Sequence, residues 1–231
     1  FSQIDPKVLL YSDTYFYGGK KIEVKKKIEE VSSKLKTLTK KILINYPGAF
    51  HETSKDYLDL ESIYSNDQLD HKIIFEKNLF NDPMYILYSS GTTGKPKCII
   101  HNTGGPLVQH MKEQQLHCDV KPNDKILYFT TCGWMMWNWL VSAMASKASI
   151  VLYDGSPFFP NKDSILEIVN KENIQILGIS AKYIDALKNE NIYIQDKYSL
   201  KNLKCILSTG SPLSSEGFSY VYDNIKKNIH L

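Results

Sequence analysis

The sequence contains no arginine: all 28 of its basic residues are lysine. Arginine grips a phosphate or carboxylate with two parallel hydrogen bonds, whereas lysine offers a compact point charge. Any anion site in this chain must therefore combine lysine with hydroxyl groups and backbone N–H groups. The formal net charge is only +3, against 25 acidic residues. This balance argues against nucleic acid as a partner, because a nucleic-acid binder typically carries a strongly basic face.

Cysteine is also scarce. The four cysteines include no C-x-x-C pair, which argues against a disulfide framework and favours a reduced, cytoplasmic protein. His110 and His117 lie on one predicted helix, but no third ligand has metal spacing, so we expect no metal site built by the protein alone. No uninterrupted apolar run approaches the roughly 20 residues that cross a bilayer, so no membrane span is expected. The oligomeric state cannot be read from the sequence.

Short apolar runs alternate with helical periodicities along the chain. The predicted strands cover 8–11, 41–44, 85–88, 98–101, 125–129, 149–153, 174–178 and 204–207. The predicted helices cover 20–39, 55–62, 105–117, 135–146, 162–172, 181–190 and 215–228. This alternation predicts an α/β fold with mostly parallel sheets flanked by helices, because strands joined through a crossover helix pair in parallel.

The most informative stretch is a loop rich in glycine and hydroxyl groups, Ser89-Ser90-Gly91-Thr92-Thr93-Gly94-Lys95-Pro96-Lys97. Gly91 and Gly94 allow backbone shapes in which consecutive N–H groups point into one concavity. The hydroxyls add donors, and Lys95 and Lys97 add positive charge, a composition that suits a polyphosphate. The loop is not a P-loop, since Pro96 stands where that motif places its magnesium-binding hydroxyl. The alternative is a hairpin turn that binds nothing.

This loop resembles the signature loop of the adenylate-forming enzymes, which include acyl-CoA synthetases, luciferases and the activating domains of peptide synthetases. In that family the loop holds the β- and γ-phosphates of ATP while a carboxylate attacks the α-phosphate. The resemblance therefore implies carboxylate activation. It also implies an ATP phosphate site made of Ser89, Ser90, Gly91, Thr92, Thr93, Gly94, Lys95 and Lys97.

A run of tryptophan and methionine narrows the resemblance. Trp134-Met135-Met136-Trp137-Asn138-Trp139 is similar to the acetoacetyl-CoA synthetase branch, whereas acetyl- and propionyl-CoA synthetases usually carry Gly-Trp-x-x-Gly there. The resemblance implies that Trp134, Met135, Met136 and Trp137 line the acid or CoA channel, with Trp134 and Met136 favoured as its wall. The alternative is that these large apolar side chains form a buried helix start.

A second turn, Ser208-Thr209-Gly210-Ser211-Pro212, lies between a predicted strand and a predicted helix. Ligands of open α/β sheets bind at the carboxyl ends of strands, so this turn is well placed for a nucleotide. By resemblance, Gly210, Ser211 and Pro212 lie along the adenine and ribose. Acetyl-CoA synthetases typically have Glu at the position of Ser211, which leaves the role of that side chain open. The alternative is a helix N-cap at Ser214 or Ser215 with no ligand nearby.

The resemblance further implies ATP, Mg²⁺ and CoA as cofactors and acetoacetate as the acid. It places the chain in the large N-terminal domain, with 1–82 as a strand–helix–strand portion plus connector and 83–231 as the ATP-binding portion. The C-terminal domain with its catalytic lysine is absent from this sequence, so we expect no catalytic residue here and no activity from this piece alone. Two alternatives stay open: another short-chain acyl-CoA synthetase, or a non-catalytic nucleotide-binding remnant.

Overall fold

The structure is a computed structural model that describes residues 1–48, 56–66, 74–89 and 94–231. The chain divides into two compact units, 1–77 and 78–231. Both units contain parallel strands connected through helices, so the predicted α/β fold is confirmed. Within the described ranges, none of the helices has the length and apolar character needed to cross a membrane.

The first unit is built around a small parallel sheet. Its elements are β1 (Val8–Tyr11), β2 (Thr14–Tyr17), β3 (Lys20–Glu23), α1 (Lys25–Lys34), β4 (Lys40–Leu43), β5 (Leu58–Asp59) and α2 (Leu60–Asn66). Strands β1, β4 and β5 pair in parallel in that order. The predicted strand–helix–strand unit is therefore present, with α1 as its crossover.

The predicted helix over 20–39 is wrong at both ends. Residues Lys20–Glu23 form β3, which pairs antiparallel with β2, and α1 ends at Lys34. Gly18 and Gly19 adopt positive φ values of 58° and 77° between the two strands, a geometry that favours a tight hairpin turn. The Gly-Gly pair was the overlooked signal. The helix predicted at 55–62 begins later, because Leu58–Asp59 extend the sheet before α2 starts at Leu60.

The second unit begins with a hairpin and continues as a helix-flanked parallel sheet. Its elements are β6 (Pro83–Tyr88), β7 (Cys98–Asn102), α3 (Gly104–Lys112) with a π-helical extension (Glu113–His117), β8 (Lys125–Tyr128), α4 (Met135–Ser142) with a 3₁₀ extension (Ala143–Ser146), β9 (Ser149–Val151), α5 (Ser164–Lys171), β10 (Ile176–Ser180), α6 (Ala181–Asn189), β11 (Cys205–Thr209) and α7 (Ser215–Tyr220) with a π-helical extension (Val221–Ile225). The predicted helix over 215–228 is thus too long.

Four strands of this unit form one parallel sheet in the order β11-β10-β8-β9. Successive side chains of a strand point to opposite faces. On one face, Leu127 and Leu177 pack with α5 and α6. On the other face, Ile126 and Tyr128 pack with Trp139 of α4. The sheet is therefore covered on both faces, which explains why its strands read as nearly continuous apolar runs.

Candidate functional site

The carboxyl ends of β8, β9, β10 and β11 lie along one edge of the four-stranded sheet, which we call the carboxyl edge. In the parallel register, Gly178 of β10 lies beside Tyr128 of β8, and Ser180 lies beside Thr209 of β11. The helix after β8 covers one face, whereas the helix after β10 covers the other. The connections after the adjacent strands β8 and β10 therefore leave the sheet towards opposite faces. The crevice between two such strands is a topological switch point, and open α/β sheets bind ligands there.

The turn predicted to hold adenine and ribose follows β11 at this edge. Gly210 has a φ of 89°, a left-handed conformation that favours glycine. A Cβ added at Gly210 would meet no atom within 4 Å, and Gly210, Ser211 and Pro212 are all exposed. The helix after the turn is capped by Ser214, whose hydroxyl accepts a hydrogen bond from the Gly217 N–H at 3.1 Å. The N-cap expected at Ser214 or Ser215 is therefore formed by Ser214, and Ser211 is not part of it.

A tyrosine that the sequence analysis missed supports this turn. Tyr128 is only 4% exposed, and its hydroxyl shares a 2.8 Å hydrogen bond with the hydroxyl of Thr209. Its ring covers Gly178, where an added Cβ would lie 2.1 Å from Tyr128 Cδ2. Burial raises the pKa of the Tyr128 hydroxyl, so the group stays neutral. The available signal was Gly178 itself, since a glycine inside a strand often marks a close approach.

The tryptophan and methionine run begins α4 at the same edge. Trp134 precedes the helix and is 68% exposed, and Met135 is 45% exposed. Met136 packs partly against the apolar cluster beneath α4, and Trp137 is half-buried. The buried-start alternative therefore does not describe Trp134 or Met135. It describes Trp139, which is in the core.

Buried polar contacts fix α4 against α3 and its extension. The indole Nε1 of Trp139 donates to Glu113 Oε2 at 3.0 Å. The side-chain amide of Gln114 donates to the Trp139 carbonyl at 2.8 Å. His110 Nδ1 lies 2.8 Å from Ser142 Oγ and shares a hydrogen bond with it. Burial lowers the pKa of His110, so this histidine is a neutral core residue.

The described ends of the predicted phosphate loop close the β6–β7 hairpin. The Ser89 N–H donates to the Lys97 carbonyl at 3.0 Å, and the Lys97 N–H donates to Ser89 Oγ at 3.1 Å. Gly94, Lys95 and Lys97 are exposed. The remaining predicted phosphate contacts fall outside the described residues: Ser90, Gly91, Thr92 and Thr93. The hairpin leads through β7 into α3, and α3 contacts α4.

Comparisons with known proteins agree with this architecture. The AMP-binding enzyme family matches residues 1–228. The acetoacetyl-coenzyme A synthetase of Rhizobium meliloti (strain 1021) is 42% identical over 234 residues, covering 100% of this chain and 36% of that protein. The malonamoyl-CoA synthetase vrtB of Penicillium aethiopicum is 35% identical over 250 residues, covering 99% of this chain and 35% of that protein.

A solved structure has the same arrangement. The acetoacetyl-CoA synthetase from Streptomyces lividans matches with a TM-score of 0.88 and 38% identity, over 96% of this chain and 34% of that one. The chain thus spans about a third of the length of the relatives it matches. A family match over nearly every residue, together with the carboxyl-edge geometry, leads to one conclusion: the chain belongs to the AMP-binding enzyme family.

Proposed function

We propose that the protein containing this chain activates acetoacetate with ATP, through an acyl-adenylate, and transfers the acyl group to CoA. The carboxylate attacks the α-phosphate and releases pyrophosphate. The CoA thiol then displaces AMP and gives acetoacetyl-CoA. The acid assignment follows from the similarity to acetoacetyl-CoA synthetases over the whole of this chain.

The observation that carries this proposal is the composition of the carboxyl edge. An exposed glycine turn, Gly210–Pro212, follows β11, and the exposed Trp134 precedes α4 after β8, at the same edge of one parallel sheet with β10 between the two strands. A nucleotide and an acid must meet within bonding distance for adenylation. A turn that can lie along adenine and ribose, at the same sheet edge as the exposed apolar side chains of Trp134 and Met135, suits that requirement.

Each group of residues has a distinct role in this proposal. Gly210, Ser211 and Pro212 lie along the adenine and ribose. Ser89 and Gly94, with Ser90, Gly91, Thr92 and Thr93, hold the phosphates through hydroxyl and N–H donors, and Lys95 and Lys97 offset the negative charge that develops on pyrophosphate. Trp134, Met135, Met136 and Trp137 line the channel for the acid or the CoA thiol.

Magnesium fits this site only together with the nucleotide. Across the described ranges, no group of three or more His, Cys, Asp and Glu side chains lies close enough to hold a metal ion. Mg²⁺ commonly binds through substrate phosphates and few protein carboxylates, so the ion would enter with ATP and offset phosphate charge. The residues of this chain would then orient the phosphates by hydrogen bonds.

The cysteines support a reducing, cytoplasmic setting as part of the proposal. All four are free thiols, and burial raises the pKa of Cys118 and raises that of Cys205 to about 12. Thiols held in the protonated form react slowly in disulfide exchange.

Thioester formation with a panel of acids tests the proposal. The natural polypeptide that contains this chain should be assayed with ATP, Mg²⁺ and CoA, with acetoacetate, malonamate, acetate, propionate or butyrate as the acid. Malonamate is included because of the similarity to a malonamoyl-CoA synthetase. The proposal expects the highest kcat/KM with acetoacetate. A higher value with any other acid would reject the acid assignment while keeping the family.

A further inference from the structure

We propose that Tyr128 is a positioning residue, whose hydroxyl holds Thr209 and so keeps the Gly210–Pro212 turn in the shape that receives the nucleotide. This inference rests on the proposed function, because it assigns the turn to ATP. It adds to the proposed site a buried residue of β8, whose side chain does not itself reach the surface of the carboxyl edge.

The ring of Tyr128 is held on two sides. On one side it lies against the backbone of Gly178, where even a methyl group would clash. On the other side it meets the ring of Trp139 edge-on, with centroids 5.9 Å apart and an interplanar angle of 63°. Edge-to-face contacts at this separation are favourable. The hydroxyl of Tyr128 is therefore presented in one direction.

That direction crosses β10. Tyr128 belongs to β8 and Thr209 to β11, and β10 lies between them. Only a strand that lacks a side chain at position 178 leaves room for the ring to span it. The 2.8 Å hydrogen bond to Thr209 is thus a cross-strand restraint. This hydrogen bond holds Thr209, the residue immediately before Gly210. The left-handed conformation of Gly210 then sets the course of the turn.

The restraint matters because the turn itself is exposed. Gly210, Ser211 and Pro212 are all accessible, and exposed glycine-containing turns have many alternative conformations. A buried neutral hydroxyl beneath Thr209 reduces that freedom before ATP binds. Since the same ring contacts Trp139 of α4, Tyr128 also connects the turn with the helix that follows Trp134.

Hydrogen exchange on the natural polypeptide, without ligands, tests the restraint directly. Tyr128→Phe keeps the ring and removes the hydroxyl, so the amides of Gly210 and Ser211 should exchange faster than in wild type. Tyr183→Phe is the matched control: Tyr183 is also buried, and its hydroxyl donates to the Lys162 carbonyl at 2.8 Å. The control should leave the amides of the turn unchanged. Equal exchange in wild type and Tyr128→Phe would overturn the inference.

Steady-state kinetics test whether the restraint serves nucleotide binding. Tyr128→Phe should raise KM for ATP roughly three- to tenfold, as expected for one hydrogen bond, with a smaller change in kcat. Thr209→Val should act similarly, Thr209→Ser should retain near-wild-type KM, and the double variant Tyr128→Phe/Thr209→Val should be no worse than either single variant.

The outcomes separate this inference from the proposed function. An active wild type whose KM for ATP is unchanged by Tyr128→Phe rejects the positioning role and leaves the function standing. A wild type that is inactive with every acid rejects the proposed function and the nucleotide role together. The exchange rates at Gly210 and Ser211 then still decide whether Tyr128 restrains the turn.

Discussion

The ring of Tyr128 lies so close to the backbone of Gly178 that a Cβ added at position 178 would be 2.1 Å from Tyr128 Cδ2. Real Cβ atoms do not approach other atoms this closely. The contact lies in the centre of the four-stranded sheet, between adjacent residues of β8 and β10. Because Gly178 has no side chain, the ring of Tyr128 can extend across β10 towards β11.

Gly178→Ala should destabilise the protein. The methyl group must displace a buried ring, and overpacking of this kind typically costs about 1–3 kcal/mol of unfolding free energy. Urea unfolding of both proteins measures the difference. Gly133→Ala is the control, because a Cβ there would meet only Thr131 Oγ1 at 4.0 Å. If Gly178→Ala lowers the unfolding free energy no more than Gly133→Ala does, the packing of Tyr128 against Gly178 is contradicted.

Acid unfolding should depend on Asp163. Burial raises the pKa of its carboxyl, but hydrogen bonds from Lys197 at 2.8 Å and Tyr198 at 3.2 Å outweigh burial, and the pKa is lowered overall. A carboxyl with a lowered pKa in the folded state stabilises the protein above its unfolded pKa. That contribution is lost as the pH falls through the folded-state value.

Asp163→Asn should therefore reduce the unfolding free energy at pH 7 by about 1–3 kcal/mol, and the difference should shrink as the pH falls below the ordinary range of aspartate. Denaturant titrations at several pH values measure this. Asp119→Asn is the control: Asp119 pairs with Lys121 at the surface, where such pairs contribute little. If the unfolding free energy lost in Asp163→Asn does not change with pH, the charge interaction between Asp163 and Lys197 is contradicted.

Gln114→Leu should destabilise the junction of α3 and α4. Gln114 is fully buried; its amide donates to the Trp139 carbonyl at 2.8 Å, and its carbonyl accepts from Ser146 at 3.0 Å. Leucine removes both hydrogen bonds from this buried junction and leaves the Trp139 carbonyl with Ser142 and the Ser146 hydroxyl with Gln115 as partners, which should cost about 1–3 kcal/mol in total. Thermal unfolding should show a clearly larger loss of stability than for Gln115→Leu, because Gln115 is exposed and contributes one longer hydrogen bond to the same junction, to Ser146 at 3.2 Å.

Trp134→Ala should impair activity while leaving stability nearly unchanged. Trp134 is largely exposed, so its removal should alter the unfolding free energy by less than about 0.5 kcal/mol. If it lines the acid or CoA channel, loss of its apolar surface should lower kcat/KM for the acid or for CoA roughly tenfold. Tyr193→Ala, another exposed aromatic, is the control. Equal kinetics for wild type and Trp134→Ala would remove Trp134 from the channel.

The sequence predicted the central sheet well for a physical reason. Strands β8, β10 and β11 are buried on both faces, so their apolar runs are nearly continuous and unambiguous. The β2–β3 hairpin was missed because Lys20–Glu23 carry charges that also suit the first turn of a helix. Only the preceding Gly-Gly pair distinguishes the two structures.

The candidate site was predictable only in part. The turn at Gly210 and the start of α4 follow strands as expected, and strand ends of a parallel sheet share an edge, but their roles towards a nucleotide and an acid stay predictions. The Tyr128–Thr209 hydrogen bond joins residues 81 positions apart, which no local pattern can pair. Nor could the sequence separate exposed Trp134 from buried Trp139, because both lie near the start of the same helix.

Acetoacetate-dependent exchange between ATP and labelled pyrophosphate tests the central claim most directly. The natural polypeptide containing this chain is assayed without CoA, so that the signal reports adenylate formation alone. The account predicts rapid incorporation of label into ATP when acetoacetate and Mg²⁺ are present, and none without an acid. Absence of exchange with acetoacetate and with every other acid of the panel would contradict it.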